Sequence, residues 1–478
     1  MGIVVELPQK SCDTLARDAL EIIRFPVEVR LSSDVMRRLE ASRRRLLEEA
    51  RKRTIYGYHT RFGELVGESA GRGEKWEEIV VEEHSVTTGP GVAPPGLVRL
   101  FLLLRLNQLL QMPAPVRPVV ADRLASALRL DILPLILPHG SVGASGDLAP
   151  SAQAVRCLFY GRGEAYYGGA RVPCSEALEK AGLKYPLPLE KAEALMLINN
   201  TAWSTALCLA AHSVLRRLID EAVNLLARTV SITGANREHY HPGVLRAKRC
   251  PMGEKIALHL EGYASHEPRN LQSPYSIRCI PQVVGATLRL VEFARQLLIE
   301  EACASTENPV VVEDRVFHAC NFHSIKVAYA CQTMATALGY LSALLERVGA
   351  QLLRGKITGL PEHLAGQNSS VGAMILHYTM AAHSARVRQL SSPTLTYTTP
   401  TSGLQEDVVP MTPEEGVKVI EQLRHTAPLL AALKVILDRA DSVRGGDARP
   451  LVGVQELLRA AEEEIVEASG LDLLNGLQ

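Results

Sequence analysis

Apolar positions along this chain recur at helical spacing over long stretches and seldom alternate at the period of a strand. Residues 192–229, 281–304, 323–353, 370–390 and 413–438 each read as one helix. Every one exceeds the roughly 11–12 residues of an ordinary globular helix. Nearer the start, residues 34–53 form a charged amphipathic helix with Ser32 and Ser33 placed to cap it. Residues 54–73 are glycine-rich and loop-like. Residues 96–111 are helical until Pro113, Pro115 and Pro118 forbid continuation. Val310-Val311-Val312 is the clearest strand signal. The pattern predicts a mainly α protein whose long apolar helices pack side by side as a bundle. An N-terminal region over residues 1–190 precedes the bundle over 191–478, with no internal repeat and no low-complexity linker.

Composition changes that picture little. A hydrophobic share of 47% in 478 residues is ample for a large core. Lys plus Arg and Asp plus Glu are both 52, so charge gives no reason to expect nucleic acid or an anionic membrane as partner. Nine cysteines lie scattered without Cys-x-x-Cys pairs, which predicts reduced thiols in a cytosol. Residues 1–6 lack the basic and apolar regions of a signal peptide. The apolar run 101–110 is interrupted by Arg105 and Asn107, so no membrane span is expected. His239 and His241 are two apart and His266 is distant, which is not the spacing of a metal site. Neither a Walker loop nor a dinucleotide fingerprint occurs. The expectation is a cytoplasmic protein without metal or nucleotide.

The chemistry concentrates at Gly140-Ser141-Val142-Gly143-Ala144-Ser145-Gly146-Asp147-Leu148-Ala149-Pro150. Such a run of small residues can turn sharply enough for the Gly146 nitrogen to meet the Ala144 carbonyl carbon. Gly146 suits this because, without a Cβ, it reaches compressed backbone angles at little cost. Condensation with loss of water closes a five-membered imidazolone. Loss of water from Ser145 leaves a methylidene carbon, an electrophile no ordinary side chain supplies. Asp147 is placed to move protons in both dehydrations.

This segment resembles the signature of the aromatic amino acid ammonia-lyases, which act on histidine, phenylalanine or tyrosine, and their aminomutase relatives. Further matches follow in order along the chain. Ile55-Tyr56-Gly57-Tyr58-His59-Thr60-Arg61-Phe62-Gly63 resembles the family's Tyr-Gly-x-Asn-Thr-Gly-Phe-Gly loop. The resemblance implies that Tyr56 takes the substrate β-proton. A free phenol titrates near 10, so positive neighbours or donors must lower it. His59 stands where the family has asparagine. Arg61, in place of a glycine, either adds a cation near substrate or lies outside the pocket. Leu271-Gln272-Ser273-Pro274-Tyr275-Ser276-Ile277-Arg278 resembles Val-Gln-Asp-x-Tyr-Ser-Leu-Arg. It implies that Arg278 grips the substrate carboxylate while Gln272 and Tyr275 line the site. Ser273 replaces the aspartate.

Asn199, in Leu197-Ile198-Asn199-Asn200-Thr201, matches the asparagine that binds the imidazolone carbonyl and the substrate carboxylate. Thr306-Glu307-Asn308-Pro309 and Asn321-Phe322-His323 match two further elements, the second implying that Phe322 lies beside the prosthetic ring. Gln153 replaces a histidine often found shortly after the triplet. The resemblance implies the long-helix bundle fold of these lyases and a homotetramer with active sites shared between subunits. It also implies a 4-methylideneimidazol-5-one formed from Ala144, Ser145 and Gly146.

Two places bear on the substrate. Leu404-Gln405-Glu406-Asp407 resembles the Asn-Gln-Glu-Asp of histidine lyases, in which Gln405 and Glu406 face the substrate. A carboxylate at Glu406 suits an imidazole nitrogen and not a bare phenyl ring. Glu83-His84-Ser85-Val86-Thr87-Thr88-Gly89-Pro90-Gly91 is the second place. Aligned on Gly89 and Gly91 the family histidine falls on Val86, whereas a two-residue insertion gives its role to His84. The expectation is elimination of ammonia from L-histidine to give trans-urocanate. The alternative is a phenylalanine or tyrosine lyase, or a 2,3-aminomutase, with the same group.

Overall fold

A computed structural model describes residues 3–71, 73, 75–447 and 449–477. The chain opens with β1 (Ile3–Leu7) paired in parallel with β2 (Val27–Leu31). Helix α1 (Ser33–Ala50) follows, its first turn capped by Ser32 Oγ, which accepts the Val35 N–H at 3.2 Å. Next come α2 (Pro95–Gln111), α3 (Leu148–Tyr160) and α4 (Ala202–Thr233), then α5 (Ile280–Ala302). An antiparallel hairpin of β3 (Val310–Val312) and β4 (Arg315–Phe317) leads into α6 (Ile325–Leu352), α7 (Met374–Gln389) and α8 (Thr412–Arg444). Helix α8 packs against α4, α6 and α7, and α5 against α6, so the predicted bundle forms. One large hydrophobic cluster runs from the first strand to the last helix, with a small second one of Leu46, Ile55, Ala192 and Val316.

The apolar run over 192–229 is not one helix. A short helix, Glu193–Ile198, ends at Asn199, and α4 restarts at Ala202 because Asn200 Oδ1 accepts the Ala202 N–H at 2.9 Å. The candidate site lies at this break. The segment Glu193–Thr233 has the length and hydropathy of a membrane span, but its most apolar window is wholly buried in the protein. It is a core helix.

Helix α2 is buried on nearly every face, so its polar side chains must find partners inside. Arg105 pairs with Glu307 at 2.9 Å and also donates to the Met196 carbonyl. Asn107 donates to Ala302 O at 2.9 Å, and Gln108 to Thr201 Oγ1 and Glu301 O, both at 3.2 Å. These bonds fix the end of α5, the 305–308 loop and the 196–201 break against one rod.

The expectation of reduced thiols is overturned for six of the nine cysteines. Disulfides join Cys12 to Cys303, Cys157 to Cys174 and Cys208 to Cys331, with Cα–Cα distances of 5.7, 5.4 and 6.1 Å. Cys250, Cys279 and Cys320 are free. Partners 291 and 123 residues apart meet through tertiary packing, so no spacing in the sequence announces them.

Candidate active site

The loop before α3 turns on three glycines in the left-handed region, Gly140 (φ +97°), Gly143 (φ +72°) and Gly146 (φ +70°). At Gly146 the requirement is steric as well as conformational, since a Cβ there would stand 2.3 Å from the Asn200 carbonyl oxygen. The Asp147 N–H donates to that same oxygen at 2.6 Å. Ser141 Oγ donates to Gly146 O at 3.2 Å, and Ser324 Oγ to Gly143 O at 2.9 Å.

Asp147 anchors the loop from below. Ser204 donates to its carboxylate through Oγ at 2.7 Å and through N–H at 2.8 Å, and Ser141 Oγ lies 3.3 Å away. The group is fully buried, and burial pushes its pKa up to about 6 against the pull of the serine donors. It is therefore a carboxyl that can hold or release a proton near neutrality beside the Ala144-Ser145-Gly146 triplet.

Asn199 Nδ2 donates to the Ser145 carbonyl oxygen at 2.6 Å. That oxygen is the one an imidazolone would keep as its ring carbonyl. The left-handed Gly146, the small neighbours, the buried Asp147 and this amide donor together fit a ring made from the triplet.

Above the loop, Ser145 Oγ donates to Glu406 Oε1, while Thr401 Oγ1 donates to Glu406 Oε2 at 2.5 Å. Backbone bonds between Thr401 and Glu406, at 3.0 and 3.3 Å, hold the carboxylate in place. Tyr56 comes from the opposite side, half-buried, its hydroxyl accepting the Gly63 N–H at 3.2 Å. Burial pushes this hydroxyl above the usual phenol range, the Gly63 N–H pulls it back and the Glu406 carboxylate pushes it up again.

Of the residues predicted from sequence, Tyr56, Ala144, Ser145, Phe322, Gln405 and Glu406 line one cavity of about 550 Å³. Gly146 and Asn199 lie behind its Ser145 wall through the bonds just described. Asn308, from the matched Thr306-Glu307-Asn308-Pro309 element, also lines it, as do His318 and Cys320, which were missed. The hairpin β3–β4 that follows Asn308 returns His318 to the cavity, and its Nε2 accepts the Tyr56 N–H at 3.1 Å.

Other predicted residues are not brought to this cavity by the single chain. His84 ends the helix Trp76–His84, bonds Val80 O through Nδ1 at 2.7 Å and sits behind Phe62, whose ring makes T-shaped contacts with both His84 and Tyr56. Val86 is 74% exposed and also lies outside the lining. Gln272 is exposed, Tyr275 is 70% exposed, and Arg278 stacks on the Tyr275 ring 4.6 Å from its centroid. Arg61 pairs with Glu68 at 2.6 Å at the surface and adds no cation to the cavity. Among the described residues no group of three or more His, Cys, Asp or Glu could hold a metal ion.

Comparison with known proteins gives this geometry its setting. The profile of the family described as aromatic amino acid lyase matches residues 15–463. Histidine ammonia-lyase of Paracidovorax citrulli (strain AAC00-1) is 36% identical over 395 residues, spanning 79% of this chain and 76% of that protein. The histidine ammonia-lyase of Geobacillus sp. (strain WCH70) is 32% identical over 446 residues, 90% of this chain and 87% of that one. In fold the chain resembles ergothionase from Treponema denticola, with TM-score 0.90 at 20% identity over 99% of this chain and 100% of that chain. It also resembles phenylalanine aminomutase from Pantoea agglomerans, with TM-score 0.86 at 23% identity over 98% and 94% of the two chains. Histidine ammonia-lyase from Trypanosoma cruzi gives TM-score 0.82 at 23% identity over 99% and 92%. The chain belongs to the aromatic amino acid lyase family and is a carbon–nitrogen lyase.

Proposed function

We propose that this protein eliminates ammonia from L-histidine to give trans-urocanate, using a 4-methylideneimidazol-5-one made from its own Ala144, Ser145 and Gly146. The carrying observation is the Glu406 carboxylate, fixed by Thr401 in the same cavity as Ser145 and Tyr56. A carboxylate so held recognises an imidazole N–H and has nothing to offer a phenyl ring. The histidine ammonia-lyase names of the 36% and 32% identical relatives agree with this reading.

The prosthetic group, once formed, supplies an electrophile that makes the departing amine a better leaving group. The Asn199 amide holds the Ser145 carbonyl and orients that segment. Tyr56 Oη takes the β-proton. Because burial and Glu406 favour the protonated phenol, a cation must approach before Tyr56 can act as base. Arg278 from a second copy of the chain, with Gln272 and Tyr275 beside it, supplies that charge and the carboxylate clamp. In this reading the working form is a homotetramer with shared sites.

One observation favours the second reading, a phenylalanine or tyrosine lyase or aminomutase with the same group. Neither His84 nor Val86 reaches the cavity, so the segment where histidine lyases have a substrate-contacting histidine contributes none. The purified protein should be offered histidine, phenylalanine and tyrosine separately, with ultraviolet absorbance followed. Urocanate from histidine alone, lost in Ser145→Ala, supports the first reading. Cinnamate, coumarate or a β-amino acid as the main product replaces it with the second. After reduction of the disulfides, the intact mass should fall short of the sequence mass by two water molecules in the wild type and not in Ser145→Ala.

A further inference from the structure

Three consecutive amides at the start of the Tyr56 loop end on side chains. The Ile55 N–H meets His59 Nδ1 at 3.0 Å, the Tyr56 N–H meets His318 Nε2 at 3.1 Å, and the Gly57 N–H meets Thr60 Oγ1 at 3.2 Å. An imidazole nitrogen accepts a hydrogen bond only while it carries no proton. Both rings are therefore neutral in this arrangement, with His59 protonated at Nε2 and His318 at Nδ1. A second proton on either ring would set N–H against N–H and leave a backbone amide without its acceptor.

The surroundings hold both rings neutral. Burial, then the Lys191 ammonium, keeps His59 below the usual imidazole range; Lys191 stands over the Tyr58 ring, which packs edge-on against His59 with centroids 4.8 Å apart. Burial, then the Arg53 guanidinium, does the same for His318. Arg53 is itself paired with Glu49 at 2.9 Å and donates to the Val316 carbonyl. Tyr56 also adjoins His318, through the N–H that the ring accepts, and the free thiol of Cys320 lies two residues along. Where the resembling loops carry asparagine, this chain carries His59. An amide in that place would accept the same N–H at every pH, whereas the ring does so only when neutral.

We propose that His59 and His318 are positioning residues which clasp the Tyr56 loop while neutral and release it when protonated, so that acid withdraws Tyr56 from Ser145 and Glu406. The kinetic consequence rests on Tyr56 being the base, as proposed above; the clasp itself does not. The proton comes from solvent to Nδ1 of His59 or Nε2 of His318, and each addition frees one backbone N–H.

The test compares the full-length wild type with His59→Asn, His318→Gln and the double variant, each of which keeps a neutral acceptor near the lost ring nitrogen. Hydrogen exchange of residues 55–57, corrected for the intrinsic pH dependence, is measured without substrate between pH 5 and 8, alongside thermal melting to confirm folding. Protection of these amides should fall with acid in the wild type and stay level in the double variant. In parallel, log kcat/KM for histidine on the acid side should lose about one unit of slope per pH for each histidine replaced. Equal loss of protection with acid in the wild type and the folded double variant overturns the clasp. Acid-labile protection abolished by the replacements, in a protein that turns over no histidine, supports the clasp and counts against L-histidine as the substrate instead.

Discussion

The Asn199 side-chain nitrogen stands 2.6 Å from the Ser145 carbonyl oxygen, although the two residues are 54 apart in sequence. Asn199 caps the end of the helix Glu193–Ile198, where the chain breaks before α4, and the break aims its amide at the triplet. The Asn199 side-chain oxygen, by contrast, is buried without a partner, which leaves an acceptor free beside the triplet. Removing the donor in Asn199→Ala should lower kcat by about 10²–10³-fold, the usual cost of losing one preorganised donor at a reacting carbonyl. Intact mass separates the two routes to that loss. Full retention of both waters would place the defect in ring formation, and a normal mass deficit would place it in turnover. Wild-type kcat with a normal mass would contradict any role for this bond.

Asp147 should make stability depend on pH in an unusual direction. Its pKa is about 6 folded, against about 3.9 for an unfolded aspartate. The folded state thus holds the proton more tightly, so this group's stabilising contribution is complete below about pH 4 and is lost as pH rises through 6. The shift corresponds to about 3 kcal/mol at most. Asp147→Asn keeps an acceptor for the Ser204 N–H and removes the charge. Its melting temperature should change less between pH 4 and 7 than that of the wild type. Parallel melting curves for the two proteins across that window would rule the assignment out.

The three disulfides predict a definite thiol count. Alkylation of the unfolded protein without reductant should modify three cysteines, Cys250, Cys279 and Cys320, and after reduction all nine. Loss of a bridge that closes a long loop costs about 2–4 kcal/mol. Reduction should therefore lower the melting temperature, with Cys12–Cys303 contributing strongly because it spans 291 residues. Nine alkylated thiols without reductant would mean that the bridges are not formed in the protein as produced.

What the sequence disclosed and what it hid divide along physical lines. The α1 cap at Ser32 and the long helices were readable because local periodicity and capping chemistry are written in adjacent residues. The 413–438 reading stopped short of Arg444, since the last turns of α8 carry Asp438, Asp441 and Arg444 in place of an apolar stripe. The break at Asn199 was masked by an unbroken apolar run on both sides. Within the site, Tyr56, Ser145 and Glu406 were found through short motifs in order along the chain. The contact of His318 with Tyr56, 262 residues apart, has no local signal, because a hairpin and a loop must both be folded before the two meet. The cysteine pairs were invisible for the same reason.

The separation of Tyr56 from Arg278 gives the sharpest test of a shared site. Tyr56 lines the cavity, whereas Arg278 lies against Tyr275, outside its lining and 222 positions along the chain. If one subunit supplies Tyr56 and another Arg278, then Tyr56→Phe and Arg278→Ala should each be nearly inactive alone yet restore activity when assembled together. In a random equal mixture about one quarter of the sites receive both intact residues, so co-expressed subunits should reach about 25% of wild-type activity per site. Mixing the finished proteins without dissociation should restore almost none. Sites built within one chain would never combine both intact residues in any mixture, and activity would stay at the level of the parents.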